Sequence, residues 1–581
     1  MRFDAQGDAE FDAEFDADFD ADFDAGRNAR WNTVPELVRH AASRYGEREA
    51  VVEGRTRLSY AELGERVERA AAACLARGVR QGDRVAVWAP NTLDWIVSAL
   101  GAVTAGAVLV PLNTRFKGTE AAYVLRQSRT KLLFITGTFL GTSYVASLRR
   151  ATADGPGDGR SDGPGDGRSD GPGNPGGGPL PGLPHLTDVV VLADDAVPSD
   201  FLTWKDFLAA GESVSGAAVR ERASAVSPSD PSDIIYTSGT TGRPKGAVIT
   251  HAQTLRAYDI WAGLAGLREG DRYLIVNPFF HTFGYKAGII ACLTRGATMV
   301  PQPVFNVDTV LANIAAERIS VLPGPPTLHQ SLLDHPARAS HDLSALRLVV
   351  TGAAVVPLQL VERLRSELHI ATVLTAYGLS EASGIVTMCR RGDAPDVIAA
   401  TSGRAIPGTE VRVGAPPGTP GEVLVRGFNV MQGYFEDPTG TAATRTPDGW
   451  LRTGDVGILD PSGNLRITDR IKDMFIVGGF NAYPAEIEQL LGLHPDIADV
   501  AVIGIPDPRL GEVGKAYVVR RAHSSTTLTA DDVIAWSRRE MANYKVPRSV
   551  EFVSDLPRNA SGKVLKGELR SRERERERNA G

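Results

Sequence analysis

One stretch of the chain gathers groups suited to a polyphosphate. It reads Tyr236-Thr-Ser-Gly-Thr-Thr-Gly-Arg-Pro-Lys-Gly-Ala-Val-Ile-Thr250. Gly239, Gly242 and Gly246 allow the backbone to curl so that its N–H groups face inward. Thr237, Ser238, Thr240 and Thr241 add hydroxyl donors, and Lys245 adds a point charge. The pattern is not a Walker A loop, which needs a glycine directly before the lysine and Ser or Thr directly after it. Here Lys245 stands between Pro244 and Gly246. Apolar residues on both sides predict a loop joining strand to strand. A helix then begins at Thr250, whose spacing to Gln253 makes a capping box.

Other stretches carry chemistry of their own. In Thr375-Ala-Tyr-Gly-Leu-Ser-Glu381, Tyr377 offers a flat face for a base and Glu381 a hard oxygen ligand for Mg²⁺. In Trp450-Leu-Arg-Thr-Gly-Asp455, the carboxylate can accept two hydrogen bonds from vicinal hydroxyls. Gly478 and Gly479 leave room for a slender ligand arm. His281 lies among aromatics in Asn277-Pro-Phe-Phe-His-Thr-Phe-Gly284, and Lys563 closes Pro557-Arg-Asn-Ala-Ser-Gly-Lys563.

Short apolar runs alternating with helical stretches must position these groups, which predicts parallel sheet covered by helices. The strand candidates include Arg84–Trp88, Val108–Val110, Lys131–Ile135, Val189–Leu192, Tyr273–Val276, Val321-Leu322 and Leu348–Val350. From about Val411 the pattern changes to short strands between Gly and Pro turns, read as a small β subdomain. A last unit alternates strand and helix within about 473–566. Two segments are predicted to stay disordered. One is the Phe-Asp-Ala-Glu/Asp repeat within residues 1–26, and the other is the Gly/Pro-rich insertion 154–184. Residues 568–581 are expected to form a solvated, charged tail.

At 581 residues, two or more domains are expected. A net charge of −7 without a concentrated basic face argues against nucleic acid. Cys74, Cys292 and Cys389 form neither a metal spacing nor a disulfide framework, which fits a reducing cytoplasm. No apolar run has the length of a bilayer-spanning helix.

In this order, the motifs resemble the adenylate-forming superfamily of acyl-CoA synthetases, luciferases and peptide-synthetase adenylation domains. The resemblance runs from about Trp31 to Lys566 and implies an α/β fold. An AMP-binding N-terminal domain over 27–471 would include the small β subdomain, and a mobile α+β domain would span 472–567. It implies an AMP-forming acid–CoA ligase using ATP, Mg²⁺ and coenzyme A. Thr237 to Lys245 would meet phosphate, and Thr351-Gly352-Ala353-Ala354 the adenine. Tyr377 would stack the base with Gly378 beside it at the nucleotide, Asp455 hold the ribose and Arg470 contact the nucleotide. Glu381 would bind the metal, Lys472 serve as hinge and Gly478-Gly479 face CoA. Lys563 would stabilise the adenylating transition state, and His281 would gate the acyl tunnel.

Within the family, Asn277–Gly288, Val321–Thr327, Gln330–Pro336 and Ile467–Asp473 resemble actinobacterial ligases acting on a methyl-hexahydroindanedione propanoate from steroid ring degradation. Tyr285 and Lys286 are the candidate neighbours of its ketones. The alternatives are a fatty-acid or aryl-acid ligase and, from another class, a non-catalytic nucleotide-binding protein. The expected partners are small molecules, with no membrane span and a homodimer left open.

Overall fold

The computed structural model describes residues 31–153, 180–192, 197–237, 243–352, 356, 358–416, 418–419, 421–470, 475–482, 484–521, 528–557, 564 and 566–580. The acidic repeat, most of the 154–184 insertion, Ser238–Gly242, Ala353, Ala354, Lys472 and Lys563 therefore lie outside the described residues.

Among the described residues an eight-stranded sheet is built around a parallel centre. Its order is 433–434, 245–250, 231–237, 108–111, 84–88, 130–135, 188–191, 202–203. The strands from 231–237 to 202–203 are parallel, and 245–250 and 433–434 add an antiparallel edge. A second layer pairs 272–275, 298–301, 49–53 and 56–59. Beside it run 348–352, 372–377, 387–388 and 404–405. The strand expected at Val321-Leu322 is reduced to single bridges, in which Val321 pairs with Tyr273 on one side and Leu348 on the other. Pro323, Pro325 and Pro326 follow at once, and proline cannot donate to a ladder.

The helices between these layers are apolar almost all round, as burial on several sides requires. In Leu93–Thr104 every residue except Asp94 is buried. The helix His251–Ala265 starts at the predicted capping box, with Thr250 accepting from the Gln253 N–H and the Gln253 side chain accepting from the Thr250 N–H. It ends at Gly266 in the left-handed conformation. One continuous core joins these helices to both sheets.

The expected β subdomain is a four-stranded antiparallel sheet ordered 409–413, 421–427, 451–459, 465–470. The C-terminal strands 480–482, 475–477, 511–520 and 497–507 form another sheet, with 549–552 parallel to 511–520. They close over a core of their own, with Phe475, Ile487, Leu491, Val502, Val518 and Val546 among its members.

Two readings of polar or Gly-rich ends are corrected. Leu180 and Leu183, at the end of the 154–184 insertion, are buried against the flank of the large sheet, because both are apolar and meet its core. The charged tail is also more than a solvated end. In the helix Lys566–Ala580, Leu569 is fully buried, Glu573 accepts from Tyr517 and Lys515, and Arg576 pairs with Glu551.

Candidate active site

The phosphate-loop stretch folds as the predicted hairpin, with Thr237 opposite Lys245 and Tyr236 opposite Gly246. At its open end Thr237 Oγ1 donates to Glu381 Oε1 at 3.1 Å. Glu381 stands on a short turn of helix, Ser380–Ala382, directly after the Tyr377 strand. A third group completes this cluster: the Tyr434 hydroxyl donates to the same Glu381 oxygen at 2.9 Å. Tyr434 arrives through strand pairing, since it lies opposite Ala247 on the sheet edge. Lys245 leaves the other side of the hairpin, pairs with Asp437 at 2.9 Å and lies 5.1 Å from the centre of the Tyr434 ring. The Lys245 ammonium holds the Asp437 carboxyl below its usual range.

The second half of the site lies at the ends of two parallel strands. Thr351 is in register with Thr375 and Gly352 with Ala376, so the expected adenine loop and the Tyr377 motif leave the sheet side by side. Gly378 is required by packing: a Cβ there would lie 2.1 Å from the Gly384 carbonyl oxygen. The Tyr377 hydroxyl donates to Asp455 Oδ2 at 2.6 Å, and Asp455 is buried. Asp455 is paired across the β subdomain with Arg470, which places the backbone of both candidate nucleotide contacts on adjacent strands.

Gly478 and Gly479 both have positive φ, +55° and +85°, in the tight turn between 475–477 and 480–482. Gly479 faces Pro325, 3.8 Å from where a Cβ would sit, so this turn lies against the loop that follows the Val321 bridge.

His281 begins a short helical turn, with Nδ1 accepting from the Phe283 N–H at 3.2 Å. Its ring is exposed to solvent, although protein surrounds it closely. Enclosure pushes its pKa down to about 4, which leaves it neutral at pH 7.

Directly after it the backbone winds into a π-helix, Tyr285–Ile290. That winding carries both candidate neighbours of the ketones, Tyr285 and Lys286, into the interior. Lys286 is fully buried, 2.9 Å from Asp233 and 3.0 Å from Thr254 Oγ1. Burial lowers its pKa, and Asp233 opposes the drop. Tyr285 is fully buried too, with its ring centre 5.7 Å from that of Trp95. The Lys286 ammonium is taken up by Asp233 and Thr254, whereas the buried Tyr285 hydroxyl has no hydrogen-bond partner among the described residues. In a sequence, a lysine after an aromatic run looks like a binding group. Only the partner Asp233, 53 positions earlier, shows otherwise.

The structure thus brings Thr237, Lys245 and Glu381 together, and Gly352, Tyr377, Gly378 and Asp455 beside them. Tyr434 and Asp437 are additions that no local pattern signalled. Among the described residues no group of three or more His, Cys, Asp or Glu side chains is placed to hold a metal. No described helix is long and apolar enough to cross a membrane.

The hairpin, the buried Asp455 beside the Tyr377 ring and the C-terminal unit with its Gly-Gly turn follow one another in the order of the sequence motifs. Residues 38–435 match the AMP-binding enzyme family and residues 486–563 the AMP-binding enzyme C-terminal domain. The chain belongs to the AMP-binding enzyme family and has the activity of an AMP-forming acid–CoA ligase. Over 93% of its length it is 50% identical to a methyl-dioxo-octahydro-indenyl propanoyl:CoA ligase of Rhodococcus jostii, covering 98% of that protein. It is 49% identical, over the same shares, to the ligase of that name in Mycobacterium tuberculosis. Among solved structures it resembles o-succinylbenzoate CoA synthetase of Bacillus subtilis bound with a product analogue. The TM-score is 0.72 at 25% identity, covering 92% of this chain and 98% of the other.

Proposed function

We propose that the enzyme joins CoA to a propanoate arm carried on a methyl-substituted, fused-bicyclic diketone left by steroid ring degradation. The observation that carries this reading is the 50% identity to the Rhodococcus ligase, spread over 93% of the chain. A carboxylate oxygen of the arm attacks the α-phosphorus of ATP, and pyrophosphate leaves. The CoA sulfur then attacks the acyl carbon, its proton passes to solvent, and AMP leaves. No side chain forms a covalent bond to substrate. Catalysis is positioning plus stabilisation of charge at the α-phosphate.

In this reading Thr237, Lys245 and the loop residues Ser238, Gly239, Thr240, Thr241 and Gly242 cradle the phosphates. Tyr377 stacks the adenine against Gly352, Ala353 and Ala354, with Gly378 keeping the turn tight, and Asp455 takes the ribose hydroxyls, with Arg470 alongside. Glu381 fits Mg²⁺. It is one carboxylate whose neighbours Thr237 and Tyr434 are hydroxyl donors, which suits an ion held largely by phosphate oxygens and water. Bound there, the ion would supply neutralisation of phosphate charge. His281, exposed to solvent, would gate the entry of the acyl group.

The unit beginning at Lys472 takes two poses about that residue. In one, Lys563 meets the α-phosphate. In the other, Gly478-Gly479 admits the arm of CoA. The turn's position against Pro325 supports the second pose.

The chemistry is tested by separating the half-reactions. ATP–pyrophosphate exchange should require the acid and Mg²⁺ but no CoA, and sustained AMP release should require CoA. Exchange that appears only with CoA would overturn the adenylate-first order.

A further inference from the structure

The C-terminal unit meets the rest of the chain through a buried group of charges that no step above uses. Lys545 Nζ lies 2.6 Å from Glu486 Oε1 and 2.5 Å from Glu120 Oε1. Glu486 belongs to the C-terminal helix Pro484–Leu491, whereas Glu120 belongs to the helix Gly118–Gln127, 425 positions from Lys545. The three side chains are 0%, 5% and 8% exposed.

Aromatic groups wall this cluster. Phe480, the residue after the Gly-Gly turn, stacks on Tyr544 with ring centres 5.0 Å apart. Arg115 lies over the other side of the contact, 4.2 Å from the Phe480 ring centre, and Lys545 is 5.2 Å from that of Phe116. The contact therefore starts at the very turn that faces Pro325 and ends at Lys545.

Burying three charges together is unfavourable unless each finds its partner. Within the C-terminal unit Lys545 and Glu486 already balance one to one. Glu120 is the only member from the other unit, and its remaining oxygen is fixed by the Lys117 N–H at 2.9 Å, so it is held ready at its helix N-terminus. Burial alone would lower the Lys545 pKa, but Glu120 and Glu486 outweigh it and hold the ammonium charged. Any rotation that carried Lys545 off would leave Glu120 facing a different surface. A desolvated ion pair of this kind favours one orientation and penalises its neighbours.

We propose that Glu120 is a positioning residue for thioester formation: it locks the C-terminal unit, through Lys545 and Glu486, in the pose that presents Gly478-Gly479 to CoA. The inference rests on the two-pose reading above. The lock acts only while that pose is occupied, so it bears on the second half-reaction and not the first.

The test uses the full-length enzyme with Glu120→Gln and Glu120→Lys. The glutamine keeps an oxygen for the Lys117 N–H but removes the charge, and the lysine sets two ammonium groups against each other. Thioester formation from supplied acyl-adenylate and CoA should fall about tenfold in Glu120→Gln and further in Glu120→Lys. ATP–pyrophosphate exchange should stay within about twofold of the parent enzyme, which also shows that the variants fold. Equal losses in both half-reactions, or thioester formation as fast as the parent's, would overturn the lock. Lys563→Ala, assayed in parallel, keeps the two ideas apart. If it lowers both half-reactions alike, the two-pose reading fails. If it lowers exchange selectively while the Glu120 variants separate nothing, the lock alone fails.

Discussion

The hydroxyl of Tyr377 donates to Asp455 across 2.6 Å, joining the end of the 372–377 strand to a strand of the small antiparallel sheet. The bond fixes the ring that would carry the base relative to the carboxylate that would hold the sugar. Tyr377→Phe keeps the flat ring and removes only this donor. The expected result is a rise of about tenfold in KM for ATP with kcat within about twofold, the mark of lost binding present in both ground and transition states. A fall in kcat at unchanged KM would place Tyr377 in the chemistry instead.

Glu381→Gln leaves an oxygen for Thr237 and Tyr434 to bond and removes the charge that favours a metal. ATP–pyrophosphate exchange should fall by about two orders of magnitude. The Mg²⁺ concentration giving half-maximal exchange should also rise. An unshifted Mg²⁺ midpoint would take the metal role from Glu381.

What could be read from the sequence was local. The hairpin of 231–237 and 245–250, the Thr250/Gln253 box and the Gly turns follow from neighbours a few residues apart. The resemblance then supplied roles that no local pattern gives. The groups that escaped notice are those whose partners arrive over long distances. Tyr434 reaches Glu381 only because its strand pairs with 245–250. Lys286 stands out as a residue, but its buried partner Asp233 lies 53 positions earlier. Lys545 and Glu120 meet across two units. Spacing rules see periods of two or 3.6 residues, and a tertiary ion pair has no period.

The Lys286–Asp233 pair should tolerate the loss of one partner poorly, since both side chains are fully buried and the charge left behind would be unpaired. Lys286→Met strands the carboxylate of Asp233 and should cost about 3–5 kcal/mol in urea unfolding at pH 7. The double variant Lys286→Met/Asp233→Asn should recover part of that loss. A single variant as stable as the parent would mean that the pair carries no charge in the folded enzyme.

His251 makes a prediction about acid. It is buried, its Nδ1 accepts from the Val34 N–H at 3.2 Å, and burial pushes its pKa from 6.5 down to about 4. Between these values the unfolded chain binds the proton and the folded chain does not, so stability rises with pH through that window and is lost as pH falls from 6.5 toward 4. His251→Asn offers an oxygen to the same N–H without titrating. Urea midpoints measured at pH 7 and pH 4.5 should therefore differ less in the variant than in the parent. An identical acid slope in both would exclude His251 as a source of the acid sensitivity.

The substrate is tested most directly by competition. The fused-bicyclic diketone propanoate, octanoate, palmitate and benzoate are offered at equal concentration with ATP, Mg²⁺ and CoA, and each thioester is quantified as it forms. The bicyclic acid should show the highest kcat/KM, by about tenfold or more over every simple acid, the separation expected when a site is shaped for rings and ketones. A higher kcat/KM for any of the simple acids would contradict the assignment and make the enzyme a general acyl-CoA synthetase.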